Sequence, residues 1–180
     1  MRRSLLLHPD CRCAAVERIE ADIVRSAPTG LTVQYFVTGD IRALKLPLPA
    51  GAGRADELWR HTCFELFLRA PEEDSYCEFN FAPSLQWAAY RFDGYRSGMQ
   101  NLGVGAPRIA IRQEKTSLEL QAALALDGVA DSETDWNFAL CTVIEETSGN
   151  RSYWALAHPA GKPDFHYADA FALSLPAQIM

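Results

Sequence analysis

Two neighbouring segments with the apolar character of buried strands each contain a carboxylate. Glu65 interrupts an apolar run, and Glu78 and Asn80 alternate with apolar residues in the next segment. A charge inside a strand that is buried on both faces costs several kcal/mol unless it is paired or hydrogen-bonded. The two acids therefore belong either to a polar face that meets a ligand or to a buried network, in which Glu65 would pair with Arg69 or Arg91.

The spacing of the polar residues predicts that they share one surface. Because side chains alternate between the faces of a strand, Tyr76, Glu78 and Asn80 lie on one face of the second segment. If the two segments form a hairpin across residues 71–75, that face coincides with the face that carries Glu65. Carboxylates and amides on a concave surface accept and donate the hydrogen bonds that vicinal sugar hydroxyls require.

Two tryptophans flank these polar strands. Trp59 precedes the first strand and Trp87 follows the second. An exposed indole can stack on the apolar face of a pyranose and also offers one N–H donor. Packing in the core is the alternative for each of them, as it is for the later residues Trp136 and Trp154. The proximity of Trp59 and Trp87 to the carboxylates favours a binding role for this pair.

A second unusual segment, residues 158–166, combines histidines and an aspartate with proline and glycine. His158, Asp164 and His166 could bind a metal or hold a ligand from a loop. Their spacing is not that of a standard zinc motif, and histidines bonded to the loop backbone are the alternative. The sequence contains no nucleophile elbow, phosphate-binding glycine loop or dinucleotide fingerprint. Glu65 and Glu78 alone are weak evidence for a glycosidase pair, so we expect a protein without enzymatic activity.

Composition limits the classes of partner. The 180 residues suit one domain spanning residues 1–180, and the net charge of −6 argues against nucleic acid as the main partner. The apolar run after Arg2 and Arg3 is shorter than the roughly 7–15 residues of an export signal. No window approaches the ~20 apolar residues of a membrane span. Together with five cysteines whose spacing gives no disulfide framework, this predicts a soluble, cytoplasmic protein with reduced thiols and no membrane association.

Short segments rich in β-branched and aromatic residues, separated by turn residues, predict an all-β fold. The half-exposed alternation of residues 117–126 is typical of a strand in an antiparallel sandwich or barrel. Residues 16–25 are compatible with a strand or a short helix, and residues 42–46 with a short helical piece. Residues 47–56 are expected to form a long loop. The other predicted strands are 31–38, 62–69, 76–82, 86–92, 108–113, 136–146, 152–158 and one near 170–175.

Several of these clusters together resemble the DOMON-like superfamily, which includes family 9 carbohydrate-binding modules. The resemblance spans about residues 31–175. The end of this range is similar to the closing motif of small bacterial DOMON-like proteins. It is carried by Leu58 and Trp59, residues 63–67 and 76–80, Ala82, Pro83, Ser84 and Trp87, then residues 161–166 and Phe171. The resemblance implies a single two-sheet antiparallel β-sandwich, jelly-roll-like or immunoglobulin-like, that binds a sugar or a haem.

The resemblance also implies a set of site residues. In sugar-binding relatives, paired tryptophans sandwich a saccharide and polar side chains bond its hydroxyls. By position the ligand-binding residues would be Trp59, Glu65, Glu78, Asn80, Trp87 and His166. Calcium accompanies some of these relatives, but this sequence contains no Asp-rich loop that would favour it.

Non-enzymatic binding of a carbohydrate or a polyol-bearing metabolite is therefore the leading interpretation. The first alternative is an electron-transfer module with haem b, held by Met99 and by His158, His166 or Lys162. The second is a scaffold whose concave face meets a partner protein.

Overall fold

In a computed structural model of the chain, residues 2–26, 29–129 and 133–177 are described. These ranges form strands joined by turns and three single-turn 3₁₀ helices, Ile41–Ala43, Leu58–Arg60 and Ala168–Ala170. No helix within them is long and apolar enough to cross a membrane. The strands are β1 (Arg3–Leu7), β2 (Val16–Ser26), β3 (Gly30–Gly39), β4 (Gly53–Arg54), β5 (Cys63–Arg69), β6 (Tyr76–Phe81), β7 (Gln86–Phe92), β8 (Gln100–Asn101), β9 (Arg108–Gln113), β10 (Ser117–Ala125), β11 (Trp136–Glu145), β12 (Arg151–Ala155) and β13 (Leu173–Leu175).

The strands form one continuous, curled sheet in the order β4-β7-β6-β5-β11-β12-β1-β2-β3-β10-β9, with β13 beside β11 and β8 beside β7. The predicted all-β class is confirmed, but the prediction of two separate, wholly antiparallel sheets is wrong. Residues Arg3, Ser4 and Leu5 pair with β2, whereas Leu6 and Leu7 pair with β12. Strand β1 therefore joins two halves of the sheet, one formed by β2, β3, β9 and β10 and the other by the remaining strands. In addition, β4 runs parallel to β7.

Of three segments with uncertain predictions, one forms a structure that the sequence allowed and two differ from what was predicted. The segment compatible with strand or helix is the strand β2, in which Ile19, Ala21 and Ile23 point into the core at every second position. The predicted loop over residues 47–56 contains the two-residue strand β4. The predicted short helical piece begins one residue early, at Ile41.

The main core lies between the two halves of the sheet. Tyr35 of β3 contacts Phe64 of β5 with ring centroids 5.1 Å apart, and its hydroxyl donates a hydrogen bond of 2.7 Å to the Glu65 carbonyl oxygen. Each large apolar side chain buried here contributes about 1.5–3 kcal/mol. Fully buried members from both halves include Leu31, Val33, Val37, Leu118, Leu120, Leu66, Phe79, Phe81 and Leu140.

Replacing Tyr35 by Phe tests the polar tie between the halves. The Tyr35→Phe variant is expected to lose about 1 kcal/mol of unfolding free energy, because a buried hydrogen bond disappears while the ring stays. Chemical denaturation measures this loss. Tyr153→Phe is the matched control, since no described residue hydrogen-bonds to the Tyr153 hydroxyl. Equal stability of the two variants would contradict the prediction.

A second buried cluster lies on the opposite face of β5, β6, β7, β11 and β12. It includes Phe67, Tyr76, Tyr90, Phe92 and Val143, and Phe165 and Phe171 from the chain's last third pack on it. The segments that contain Trp59, Arg96 and Phe165 come together over this face. The curled sheet therefore presents a second, partly covered surface, on which the predicted polar residues lie.

Candidate functional site

The hairpin of β5 and β6 places the two acids on the same face of the sheet. Glu65 is opposite Asn80, and Phe67 is opposite Glu78, so the polar positions coincide as predicted. Glu65 and Glu78 are 3% and 4% exposed. Apolar neighbours on both strands face the main core instead, which explains how acids can stand in an otherwise apolar hairpin.

A cavity of about 480 Å³ lies over this face. Glu65 and Glu78 form its deepest polar surface, because both are almost fully buried. Its walls include four aromatic side chains, and its rim carries three exposed arginines. The aromatic residues are Trp59, Phe92, Tyr153 and Phe165, and the arginines are Arg60, Arg96 and Arg151.

Glu78 and His166 belong to one polar network. The Asn80 side-chain amide donates to Glu78 Oε1 at 2.7 Å, and the Tyr76 hydroxyl lies 2.7 Å from His166 Nδ1. Because the Tyr76 oxygen accepts from the Arg96 backbone N–H at 3.3 Å, it can donate its own proton to Nδ1. His166 then carries its proton on Nε2, which lies 3.9 Å from Glu78 Oε2. That separation is too long for a hydrogen bond.

Burial disfavours the charged forms of both His166 and Glu78 in this network. Burial, together with the charge of Arg96, lowers the pKa of His166 to about 4, so its imidazole is neutral at pH 7. Burial raises the pKa of Glu78 to about 7, although the Asn80 hydrogen bond and the charge of Arg96 oppose this rise. His166 and Glu78 are therefore neighbours rather than an ion pair.

Glu65 is the unsatisfied member of the site. Its Oε1 atom is buried and accepts no hydrogen bond from any described residue. Burial, and then the nearby charge of Glu78, raises the pKa of Glu65 well above its usual range. Within the described ranges Glu65 forms no ion pair with Arg69 or Arg91, and the Arg69 guanidinium lies over the Phe171 ring at 4.5 Å. The alternative in which Glu65 pairs with Arg69 or Arg91 is therefore not what the described residues show.

Asp164 ties together the two segments that cover the cavity. Its Oδ2 accepts from the Tyr95 hydroxyl at 2.5 Å, and its Oδ1 accepts from the Arg96 guanidinium at 2.9 Å and from the His166 backbone N–H at 3.0 Å. Tyr95 and Arg96 stand in the turn between β7 and β8, whereas His166 follows Asp164 in the last loop. This carboxylate therefore fixes the position of Arg96 and His166 beside the two buried acids.

Comparison with known proteins gives a likeness of fold. The sequence matches no protein-family model and no curated protein. A protein from Bacteroides uniformis that is proposed to bind carbohydrate is similar in structure, with a TM-score of 0.70 and 11% identity over 94% of this chain and 83% of its own. The chain shares its fold with that protein.

Family 9 carbohydrate-binding modules resemble the chain more distantly. One from Caldicellulosiruptor kristjanssonii, in complex with glucose, has a TM-score of 0.49 and 14% identity over 80% of this chain and 69% of its own. A structure with cellotriose has a TM-score of 0.47 and 13% identity over 80% and 67%.

Five of the sequence-predicted residues line the cavity together: Trp59, Glu65, Glu78, Met99 and His166. Asn80 lies behind them, fully buried, where its amide bonds Glu78. Trp87 is placed elsewhere. It pairs with Phe81 and shares that residue's face, so its ring lies in the main core between the halves of the sheet and does not form a pair with Trp59.

His158 also lies away from the cavity. Its Nε2 is 2.8 Å from the Leu6 carbonyl oxygen, and its ring meets the ring of His8 edge-on at 4.9 Å. This is the backbone-bonded alternative considered for the loop histidines. Among the described residues, no group of three or more His, Cys, Asp or Glu side chains is arranged to hold a metal ion.

The sequence did not single out the rim arginines or most of the aromatic wall. Phe165 adjoins His166 in a segment that was already unusual, so its neighbourhood was a usable signal. Arg96 stands in a turn, and Arg151 begins β12 at the far end of the chain. No local pattern marks such residues, because only the folded path brings them to the rim.

Proposed function

We propose that the chain binds a saccharide or a similar polyol-bearing metabolite in this cavity, without transforming it. The observation that carries the proposal is the Glu65 carboxyl group, which lines the cavity and keeps a buried oxygen without a hydrogen-bond partner among the described residues. Buried polar atoms are almost always satisfied, so an unsatisfied one beside a cavity favours an external donor. Because Oε1 itself has almost no accessible surface, we infer that the Glu65 carboxyl group turns on binding so that a sugar hydroxyl supplies that donor.

The walls suit the flat, apolar face of a sugar ring. Trp59 is half-buried at the cavity, and its indole meets the Tyr90 ring edge-on with centroids 5.9 Å apart, which limits how far it can turn. Deep acids with raised pKa values can either accept from a hydroxyl or, when protonated, donate to one. The Trp59 ring as a stacking surface, together with the polar groups of Glu65 and Glu78, matches a pyranose. The sequence predicted two stacking tryptophans instead of one.

Two further observations support the proposal. The sequence clusters resemble the DOMON-like superfamily, whose members bind sugars or haem, and we propose that the chain is a member. The Bacteroides protein of the same fold is proposed to bind carbohydrate. A partly covered cavity of about 480 Å³ also suits a small molecule better than the flat contact expected of a scaffold.

Haem b is the second candidate because Met99 and His166 line the same cavity. The donor set fits it poorly. Iron binds an imidazole nitrogen at about 2 Å, and a carboxylate oxygen 3.9 Å from His166 Nε2 crowds the space that a porphyrin plane would need. With Nδ1 facing the Tyr76 hydroxyl, Nε2 also carries the proton that a metal would have to replace.

Calorimetric titration of the purified protein tests the proposal. The probes are glucose, galactose, mannose and xylose, with glucuronic acid and glucosamine as charged variants. Saturable binding of at least one of them is expected. If none of the six sugars binds, the proposal is contradicted. Haem addition followed by absorption spectroscopy separates the alternatives, since a stable Soret band that responds to Met99→Ala would favour haem.

Trp59 is expected to contribute to binding through its ring. The Trp59→Ala variant should bind the best monosaccharide about tenfold more weakly, since stacking contributes about 0.5–1.5 kcal/mol. Trp59→Phe is the matched control because it keeps an aromatic surface, and it should lose no more than about threefold. Titration gives the affinities, and thermal melting verifies that both variants are folded. Equal affinity of Trp59→Ala and the wild type would remove Trp59 from the site.

A further inference from the structure

A second chamber of about 430 Å³ adjoins the cavity. It is walled by the turn between β7 and β8 and by the loop that precedes the last 3₁₀ helix. Its main lining residues are Tyr95, Lys162, Pro163, Asp164, Tyr167 and Asp169. Pro163 lines both the cavity and this chamber, so the two spaces meet at that residue.

In the wall between the two spaces, consecutive residues line the cavity and the second chamber in turn. In the turn, Tyr95 lines the second chamber and the next residue, Arg96, lines the cavity. In the loop, His166 lines the cavity and the next residue, Tyr167, lines the chamber. The ion pair of 2.9 Å between Arg96 and Asp164 crosses from one space to the other. The second chamber therefore lies on the far side of Pro163 and this ion pair, and a ligand that occupies both spaces has to cross this wall at the exposed rim.

Two exposed aromatic rings mark the second chamber. Tyr95 and Tyr167 are 57% and 45% exposed, and their rings stand edge-on with centroids 6.2 Å apart. Few large apolar side chains in the described ranges are this exposed, and Met99, another of them, lines the adjoining cavity. Exposed apolar side chains gathered beside a cavity mark a binding surface.

The first of these rings is held in place. The Tyr95 hydroxyl donates to Asp164, and the turn that contains it is closed by a backbone bond of 3.0 Å from the Ser97 N–H to the Gly94 carbonyl oxygen. Gly98 has a φ of 65°, and a Cβ there would lie 2.1 Å from the Asp93 carboxylate. The turn therefore presents Tyr95 on a fixed backbone, which reduces the entropy lost when a ligand packs on the ring.

We propose that the ligand is an oligosaccharide whose second sugar unit occupies this chamber, packed on Tyr95 and Tyr167 and bonded by Lys162 and Asp169. The inference depends on the proposed function of the cavity, which would hold the first unit. It adds a length requirement to that function: affinity increases when a second unit is present, and the increase comes from the two tyrosines.

A length series tests the inference. The probes are glucose, galactose, mannose and xylose, each with its β-1,4-linked di- and trisaccharide, in titration against the full chain. We expect the disaccharide of the preferred sugar to bind about tenfold more tightly than the monosaccharide, and the trisaccharide to add little. A monosaccharide that binds as tightly as its disaccharide would overturn the inference and leave the proposed function intact. If no saccharide of any length binds, both fail.

Substitution of Tyr167 locates the gain in affinity. No hydrogen bond to its hydroxyl is seen among the described residues, so Tyr167→Ala leaves the Asp164 contacts in place. This variant should lose the tenfold preference for the disaccharide while its affinity for the monosaccharide is unchanged, and Tyr167→Phe should behave as wild type. Leu48→Ala, which truncates another exposed apolar side chain, is the control. Retention of the preference in Tyr167→Ala would overturn the inference.

Discussion

At pH 8 the Glu65→Gln variant is expected to be more stable than the wild-type protein by about 3 kcal/mol, whereas at pH 4 the two should be equally stable. Glutamine has nearly the shape of a protonated glutamate, so the substitution removes the charge and little else. Among the described residues Glu65 forms no ion pair and its Oε1 accepts no hydrogen bond, so burial makes its charged form the costly one although the charge of Arg96 opposes this.

The direction of this pH dependence follows from the raised pKa. The unfolded chain loses the Glu65 proton near the ordinary pKa of 4.5, while burial lets the folded protein keep that proton to a much higher pH. Between these two values the folded state binds more protons, so the unfolding free energy falls as the pH rises. Glu78 acts in the same direction between pH 4.5 and its own pKa of about 7.

Urea unfolding at pH 4, 6 and 8 measures the difference. The control is Glu17→Gln, which neutralises an exposed glutamate of β2 and should change stability by less than about 0.5 kcal/mol at each pH. A double variant with Glu65→Gln and Glu78→Gln should lose most of the remaining slope. Destabilisation of Glu65→Gln at pH 8 would contradict the assignment and would show that the carboxylate is bonded in the structure.

Stability and binding are expected to change in opposite directions at this position. A ligand that donates hydroxyl protons to both oxygens of an ionised Glu65 finds one acceptor and one amide N–H in the glutamine variant. Saccharide affinity should therefore fall at the same time as stability rises. A residue kept for structure would not show this combination, because its loss would not improve the fold.

The hairpin of β5 and β6 could be predicted from the sequence because its polar residues alternate with apolar ones and so identify one face of each strand. Alternation fixed the relation of Glu65 to Glu78 and Asn80, and the register agrees. Strand β7 has no such label. Both of its faces are buried, with Trp87 on one and Tyr90 on the other, so alternation alone could not say which face meets the main core. Trp87 was expected at the site because it lies close to the carboxylates in the sequence, and alternation could not correct that expectation.

The curling of the sheet and the contacts of the loops could not be predicted from local sequence patterns. In β1 only Leu5 is buried, and the strand changes partner from β2 to β12 between Leu5 and Leu6. Alternation describes the faces of a strand but not its neighbours. His158 and His166 illustrate the same limit in a loop, since residues eight positions apart in one segment reach the Leu6 carbonyl and the cavity, respectively.

Loss of the Asp164 carboxylate is expected to loosen both segments that cover the cavity. The Asp164→Ala variant removes the acceptor of three hydrogen bonds, from the Tyr95 hydroxyl, the Arg96 guanidinium and the His166 backbone N–H. Arg96 is about half exposed, so its ion pair contributes little by itself. The three bonds together should nevertheless stabilise the fold by about 2 kcal/mol. Urea unfolding measures that loss.

Hydrogen exchange distinguishes a local loosening from a general loss of stability. In Asp164→Ala, the backbone amides of residues 94–97 and 164–167 should exchange more than tenfold faster than the loss of global stability explains, whereas those of β3 and β10 should quicken only by that loss. Asp169→Ala removes a neighbouring exposed carboxylate for which no described hydrogen bond is seen, and it should leave exchange in both segments unchanged. Arg96 and His166 lie beside the buried acids and belong to these two segments. If Asp164→Ala exchanges like the wild type in both segments and also binds saccharide normally, Asp164 does not organise the site. Faster exchange with weakened binding would show that the cavity is assembled by this one carboxylate rather than by the sheet alone.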